Sequence, residues 1–291
     1  MTLKTNFKED EFEFPFTQKD FETLRNYVTE ETGICLPDNK KNLMYGRLTR
    51  RLRSLNLENF QSYIQRVEQE LARGCQDELM VMVNAMTTNV THFFREEHHF
   101  THLQENLGRL CKEFGRVNIW CAASSTGEEP WSIAMVVADY KAANPNADIR
   151  IFASDIDEQV LKKAKQGEYM LSSQTVESNL QLKKWLKKER NGQPQGPLGQ
   201  ELYSIKPTLK PMVSFQKINL LKEWPLPAER IHIVFCRNVI IYFSKETKKN
   251  LCDRIQNKMP SGGVLYLGHS ESLLGMQTEF ESQGRTVFTR Q

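Results

Sequence analysis

Acidic residues follow two short apolar runs near the middle of the chain. Residues 124–130 (SSTGEEP) carry two glutamates and come directly after the apolar run 117–123, and Asp155 follows a second apolar run, 148–154. If both runs are strands of one parallel sheet, these carboxylates lie beyond the carboxyl ends of the strands, where open α/β sheets bind ligands. An acid at the end of the second strand is placed to accept hydrogen bonds from ribose hydroxyl groups.

The composition of residues 124–130 argues against a phosphate ligand. The segment has one glycine, Gly127, whereas a dinucleotide-binding loop needs several glycines so that its backbone can approach a pyrophosphate. Two carboxylates would also repel phosphate groups. A cationic or phosphate-free nucleoside fits better, and together with Asp155 the pattern points to S-adenosylmethionine. The alternative is that the glutamates only stabilise a helix N-terminus through its dipole.

The elements that must position these residues alternate between strand and helix. Apolar runs predict further strands at 231–235, 263–267 and 286–289, and helical spacing predicts helices at 131–140, 157–165 and 245–259. This alternation is typical of right-handed βαβ units and a largely parallel sheet. Residues 170–215 break the rhythm. This stretch contains turn-rich sequence at 191–199 and short extended runs, among them 201–205 and 212–217. Turn-rich sequence among short extended runs predicts a small antiparallel insertion.

Residues 17–86 have the periodicity of four short helices. Apolar residues recur at helical spacing in four segments, the second of them at about 39–54, and Gly33, Pro37 and Gly74 separate them. Thr17 and Asp20 form a plausible cap for the first helix. We therefore expect an α-helical domain at 1–86 and a sheet domain at 87–291, with the insertion at about 170–215.

Composition and charge exclude several classes of protein. The 39 basic and 36 acidic residues nearly balance at +3, which argues against a bulk nucleic-acid binder. Six cysteines without a CxxC pair favour free thiols in a reducing cytoplasm over disulfides or zinc. Apolar runs stay well below the roughly 18 residues that a membrane span needs, and the N-terminus has no apolar signal segment.

Five segments together resemble one family. They are TTNVTHFFR at 87–95, STGEEP at 125–130, FASDID at 152–157, CRNVIIYF at 236–243 and GHSES at 268–272. In this order, and over nearly the whole chain, they resemble the CheR-type methyltransferases, which methylate glutamates of bacterial chemoreceptors. The resemblance implies an α/β fold: a Rossmann-like S-adenosylmethionine-dependent methyltransferase domain with a small antiparallel β-subdomain insertion, preceded by an α-helical N-terminal domain.

The resemblance also implies roles for individual residues. Those implied to contact the cofactor are Asn89, Thr91, Arg95, Glu129, Asp155, Asn219, Leu220, Arg237 and Asn238. Arg95 and Tyr242 are implied to lie near the transferring methyl group. Glu129 faces either the amino group of the methionine moiety or a ribose hydroxyl, and Arg95 holds either the substrate carboxylate or that of the methionine moiety.

The second predicted helix and the insertion are candidate partner sites. Lys40, Arg47, Arg50 and Arg51 fall within about 100° on a helical wheel, which is either a solvated face or a docking surface for an acidic partner. The resemblance favours contact with the methylation helices of a receptor. In some members of the family the β-subdomain adds a strand to a tether peptide at the receptor C-terminus; the alternative is a structural flap.

Histidines are clustered in one predicted helix. His98, His99 and His102 share it, but no carboxylate or cysteine completes a ligand set, so we expect no metal site. The expected protein is a cytoplasmic monomer, recruited to membrane-bound receptor arrays, that forms glutamate methyl esters, releases S-adenosylhomocysteine and sets sensory adaptation.

Three other functions remain as alternatives. An amino-group methyltransferase would typically carry an N/D-P-P-Y/F loop where this chain has CRNV. A non-catalytic adapter would use the helical domain to bind nucleic acid or an acidic protein, which the near-neutral charge disfavours. An NAD-dependent enzyme would need the glycines that residues 124–130 lack.

Overall fold

The computed structural model describes residues 13–87, 89–189, 199–226 and 230–291. They form two compact units: the first contains the described residues of Met1–Thr88 together with Tyr242–Thr247, and the second contains those of Asn89–Ile241 and Lys248–Gln291. The grouping of Tyr242–Thr247 with the first unit differs from the expected division. Ile34 and Phe243 form an antiparallel bridge, and the Cys35 N–H donates to the Tyr242 carbonyl at 2.8 Å.

The first unit is helical, as its periodicity predicts. Its α-helices are α1 (Gln18–Thr32), α2 (Lys41–Ser54), α3 (Phe60–Ala72) and α4 (Asp77–Met86). The cap of α1 is confirmed, since Thr17 Oγ1 accepts from the Asp20 N–H at 3.1 Å and the Asp20 carboxylate accepts from the Thr17 N–H at 2.9 Å. Gly33 ends α1 at a φ of 73°, which is the left-handed C-cap that glycine favours.

The second unit alternates strands and helices along the chain. Its strands are β1 (Arg116–Cys121), β2 (Asp148–Asp155), β3 (Glu168–Ser172), β4 (Leu186–Lys188), β5 (Gln200–Ile205), β6 (Val213–Lys217), β7 (Ile233–Cys236), β8 (Val264–Leu267), β9 (Phe280–Gly284) and β10 (Val287–Arg290). Its helices are α5 (His98–Phe114), α6 (Glu128–Ala143), α7 (Glu158–Gln166), α8 (Ser173–Ser178), α9 (Leu180–Trp185) and α10 (Lys245–Lys258), whose first turn belongs to the other unit.

Seven strands form the main sheet in the order β6–β2–β1–β7–β8–β10–β9. The five strands from β6 to β8 are parallel to their neighbours, and β10 runs antiparallel to both β8 and β9. The expected largely parallel sheet is confirmed. β1 lies between β2 and β7 and is buried from Val117 to Cys121, with α5 packed on it and α6 packed on the neighbouring β2. The carboxyl ends of β1, β2 and β7 therefore meet at one edge.

The antiparallel insertion is a separate three-stranded sheet in the order β3–β5–β4. The expected range was wrong at its end, because residues 213–217 form β6, which pairs in parallel with β2 from Ile151↔Val213 to Asp155↔Lys217. β6 is an edge strand of the main sheet and only its first residue is buried. Such a strand has the same short polar alternation as an exposed hairpin strand, so the pattern could not separate them. Residues 191–198 of the turn-rich stretch lie outside the described residues.

Within the described parts of the chain, no helix has the length and apolar character needed to span a bilayer.

Candidate active site

The loop after β1 turns the chain sharply into α6. Ser125 has a φ of 47° and Gly127 a φ of 101°, and α6 begins at the next residue. A Cβ on Gly127 would stand 2.8 Å from both the Ala164 Cβ and the Tyr169 hydroxyl. The single glycine of the loop therefore serves close packing against α7 and β3, which explains why one is enough here.

Asp155 ends β2 with its carboxylate beneath this loop. It accepts the Ser125 N–H at 2.8 Å and the Asp157 N–H at 3.0 Å. Burial raises the pKa of Asp155 to about 6, against the opposing effect of these amide hydrogen bonds. A carboxylate offers about four acceptor positions, so these amide groups do not use all of them and the hydroxyl groups that the sequence assigned to Asp155 can still bind.

Asn219 and Leu220 follow β6, and a backbone hydrogen bond of the preceding residue holds them near Asp155. The Ile218 N–H donates to the Asp155 carbonyl at 3.0 Å. Asn219 Oδ1 accepts the N–H two residues later at 2.9 Å, and the carbonyl of the buried Leu220 accepts from Arg254 Nη1 at 2.7 Å. The structure thus brings the predicted pair to the end of β2, although the pair and Asp155 are more than sixty residues apart in sequence.

Arg237, just after β7, carries a buried guanidinium between two carboxylates. Its Nη1 lies 2.8 Å from Glu129 Oε2, and its Nη2 lies 3.3 Å from Glu96 Oε2 and also donates to the Arg95 carbonyl. The Cys121 thiol donates to the other oxygen of Glu129 at 3.1 Å. Burial raises the pKa of Glu129, while Arg237 opposes that rise. Arg237 and Glu129, which are both predicted to contact the cofactor, therefore form an ion pair with each other.

Glu96 was not singled out by sequence reasoning, yet it joins several of these segments. Its Oε1 accepts from the His269 N–H at 3.1 Å and the His269 ring at 3.0 Å. Burial would raise the pKa of Glu96, but hydrogen bonding by His269 and the charge of Arg237 lower it to about 2. Only its position directly after Arg95 could have drawn attention to it.

Glu271 is a second residue without an expected role. The buried carboxylate accepts N–H groups from Gly268 at 2.6 Å, Asn238 at 2.8 Å and Ile241 at 3.2 Å. It therefore ties the loop after β8 to the loop after β7, where Asn238 has a φ of 58°. The GHSES segment was recognised as part of the family pattern, but its sequence gave no reason to assign this task to the glutamate.

The segment 89–95 packs along the same edge. Ser125 Oγ donates to the Asn89 carbonyl at 3.4 Å, and Phe93 packs edge-on to Tyr169 with ring centroids 4.9 Å apart. Half-buried Arg95 donates from Nη1 to the Val90 carbonyl at 3.0 Å. Of the predicted residues, Thr91 is half-buried on this segment as well.

Two family models match the chain. A model described as the all-alpha domain of CheR methyltransferases matches residues 19–87, and one described as their SAM binding domain matches residues 89–289. The chain belongs to the CheR methyltransferase family. The expected family, fold class and cofactor are thereby confirmed, and the protein is an S-adenosylmethionine-dependent methyltransferase.

Named relatives of this CheR methyltransferase cover nearly its full length. The chemotaxis protein methyltransferase of Salmonella typhimurium is 38% identical over 269 residues, which are 92% of this chain and 88% of that one. Chemotaxis protein methyltransferase 2 of Pseudomonas aeruginosa is 37% identical and covers 95% of each chain. The chemotaxis protein methyltransferase of Escherichia coli is 36% identical, over 92% of this chain and 89% of that one.

The residues at the strand ends of this CheR methyltransferase fit S-adenosylmethionine. Carboxylates of Asp155, Glu129 and Glu96 outnumber the buried guanidinium of Arg237, which suits a sulfonium cation and disfavours a phosphate. The buried hydroxyl of Ser124, in the loop after β1, has no hydrogen-bond partner within the described ranges and therefore remains able to bind a ligand. Which cofactor atom each residue contacts stays a prediction.

Tyr242 lies in the first unit of this CheR methyltransferase. Its side chain is 36% exposed, and its backbone carbonyl is the acceptor for Cys35 described above. Its assignment to the neighbourhood of the transferring methyl group stays a prediction that rests on the family resemblance.

The basic helix α2 divides into internal and exposed positions. Arg51 donates from Nε and Nη2 to the Glu78 carboxylate, at 2.9 and 2.6 Å, and Glu78 is only 2% exposed. Arg47 Nη1 donates to three carbonyls at the C-terminal end of α4, at 2.9 to 3.0 Å. Lys40, just before α2, and Arg50 are exposed. A docking role for this helix stays a prediction, and its exposed charges are the better place to test it.

The histidines of α5 differ in burial, since His98 and His102 are half-buried. His99 is fully buried, and both His98 and His99 direct Nε2 to the Arg285 carbonyl, at 3.1 and 3.0 Å. Glu96 lies with them, with one ligating atom of each residue within 4.8 Å of the others, so the expectation that no carboxylate accompanies these histidines was wrong. The positively charged guanidinium of Arg237 already forms an ion pair with the Glu96 carboxylate.

Proposed function

We propose that this CheR methyltransferase methylates glutamate side chains of bacterial chemoreceptors and so sets sensory adaptation in chemotaxis. The products would be glutamate 5-O-methyl esters and S-adenosylhomocysteine. The observation that carries the proposal is the near full-length similarity to proteins named chemotaxis protein methyltransferases, at 36 to 38% identity for the three described above.

The proposed reaction needs few catalytic groups from the protein. S-adenosylmethionine supplies a methyl group activated by its sulfonium, and transfer to a carboxylate oxygen forms the ester and leaves the neutral thioether. A glutamate with a pKa of about 4.3 is already ionised at neutral pH, so no general base is required. Catalysis then rests on alignment of the reacting groups and on exclusion of water.

Arg95 is the residue of this chain that we assign to carboxylate recognition. One of its terminal nitrogens donates to the Val90 carbonyl, and the half-buried guanidinium has further donors in a planar fork. Such a fork matches a carboxylate in a bidentate geometry. That carboxylate belongs either to the acceptor glutamate or to the methionine moiety of the cofactor.

The partner surfaces complete the proposal. We infer that the exposed charges of Lys40 and Arg50 meet the acidic methylation helices of a receptor. We infer that a receptor C-terminal tether peptide pairs with an edge of the β3–β5–β4 sheet, because β3 and β4 each have one strand neighbour among the described residues. The protein would act as a cytoplasmic monomer at membrane-bound receptor arrays.

A labelling experiment tests the reaction class. Purified protein is mixed with methyl-labelled S-adenosylmethionine and membranes rich in chemoreceptor, and the labelled receptor is treated with mild alkali. Release of volatile methanol identifies a carboxyl methyl ester, because amine and carbon methylation are stable to alkali. Receptor whose acceptor glutamates are changed to alanine is the control. Alkali-stable label, or equal label on the control receptor, would refute the proposal.

A further inference from the structure

Glu96 contacts residues of the loops after β7 and β8. It follows Arg95 directly, its Oε2 lies 3.3 Å from the Arg237 guanidinium after β7, and its Oε1 accepts from His269 after β8. Asn238 Nδ2 lies 3.5 Å from the same Oε1. One carboxylate thus joins three stretches of chain that are far apart in sequence.

The electrostatic surroundings show why a carboxylate is needed at this position. The side chain of Arg237 is fully buried, and its Nε has no hydrogen-bond partner among the residues that the structure describes. Its neutralisation depends on Glu129 at one terminal nitrogen and Glu96 at the other. Removal of one partner leaves the guanidinium with a single carboxylate, and it can then turn toward Glu129.

We propose that Glu96 is a positioning residue for S-adenosylmethionine: it holds Arg237 and Asn238, through their side chains, in the orientation that binds the cofactor. The proposal uses the cofactor of the family and the predicted contacts of Arg237 and Asn238, and it does not depend on which acceptor is methylated. Glu96 itself touches other protein groups rather than the reacting atoms.

The backbone at Glu96 fits this role. Its φ is 57°, and Phe94 two residues earlier has a φ of 55°, so a non-glycine chain adopts the left-handed region twice within three residues. Such conformations persist only where the surroundings enforce them. The contacts of the Glu96 carboxylate, together with the hydrogen bond from the Phe94 N–H to Ser132 Oγ at 3.0 Å, supply that enforcement.

The first test compares Glu96→Gln with Glu97→Gln. Glutamine keeps the size of the side chain and an oxygen for the His269 N–H but removes the charge that faces Arg237. Glu97 is the exposed neighbour and makes no side-chain capping bond, so it is a matched control. Calorimetry with S-adenosylmethionine is done at a temperature where all variants are folded, and a methylation assay is run in parallel.

We expect Glu96→Gln to raise the dissociation constant of S-adenosylmethionine by about 2- to 30-fold, the range of mutations that modulate binding without contact to the ligand. Glu97→Gln should bind as the wild type does. A loss of thermal stability alone would not move this constant, because binding is measured on folded protein. Unchanged affinity in Glu96→Gln would overturn the proposal, whatever the outcome with receptor.

A second test asks whether Glu96 acts through Arg237. In an Arg237→Lys background the orientation of the planar guanidinium is already lost, so adding Glu96→Gln should cost less than about 2-fold in affinity. An equal loss in both backgrounds would contradict the proposal. His269→Ala, at a side chain that is 65% exposed, removes a partner of Glu96 without disturbing the core and should give a smaller loss in the same direction.

Discussion

The loop after β1 should tolerate no side chain at Gly127, and the cost of adding one can be worked out from the structure. Gly127 has a φ of 101°, a region that costs an L-residue about 1–3 kcal/mol. The added methyl of Gly127→Ala would also lie 2.8 Å from the Ala164 Cβ and 2.9 Å from its Cα. Overpacking of this kind costs about 1–3 kcal/mol, because backbone cannot move aside as a flexible side chain can.

The two effects together predict that Gly127→Ala destabilises the second unit by about 2–6 kcal/mol. Part of the strain can also be relieved by displacement of the loop. Ser125 donates its N–H to Asp155 from that loop at 2.8 Å, so displacement should also weaken binding of S-adenosylmethionine.

Gly284→Ala is the matched control for this substitution. Gly284 lies at the end of β9 in the same unit with a φ of 86°, and no atom of the described residues lies within 4 Å of its Cβ position. It therefore carries the backbone strain without the clash, and we expect it to cost about 1–3 kcal/mol and to leave cofactor binding unchanged.

Urea unfolding followed by tryptophan fluorescence measures these costs in the correct unit. All four tryptophans, Trp120, Trp131, Trp185 and Trp224, lie in the second unit. Calorimetry with S-adenosylmethionine gives the effect on binding. If Gly127→Ala loses no more stability than Gly284→Ala and binds the cofactor normally, the close packing of this loop against α7 and β3 is not as described.

Three further predictions concern individual charges. Arg95→Ala should lower turnover by about 100-fold or more while the melting curve is kept, because the side chain is half-exposed; near-normal turnover would remove its role. Burial raises the pKa of Asp155 to about 6. Between about pH 4 and 6 the folded state therefore keeps a proton on Asp155 that the unfolded chain has released, so the free energy of unfolding should fall as pH rises through that range. Asp155→Asn should remove that component from a profile of unfolding free energy against pH, and identical profiles would contradict it. Charge reversal at Lys40 and Arg50 should lower receptor methylation and its salt dependence without destabilising the first unit, whereas reversal at Arg51 should destabilise that unit because the buried Glu78 loses its hydrogen-bonded ion pair and faces a like charge. Methylation with unchanged salt dependence in the double reversal would argue against docking by α2.

Features that depend on neighbours in sequence were predictable. The cap at Thr17, the helices of the first unit and the alternation around β1 and β2 follow from turn chemistry and hydrophobic spacing, which are local properties. Asp155 could be placed at the end of a strand for the same reason. The five segments shared with the family then carried most of the predicted cofactor residues.

Other features depend on which strands become neighbours, and no local pattern encodes that. β6 reads as part of the insertion until its parallel pairing with β2 is known. Arg237 meets Glu129 across 108 residues, and Glu96 meets His269 across 173, because β7 pairs with β1 in the sheet and β8 pairs with β7. A buried charge has to find its partner wherever the fold brings one, so the partners of these carboxylates emerge from strand order and burial rather than from spacing along the chain.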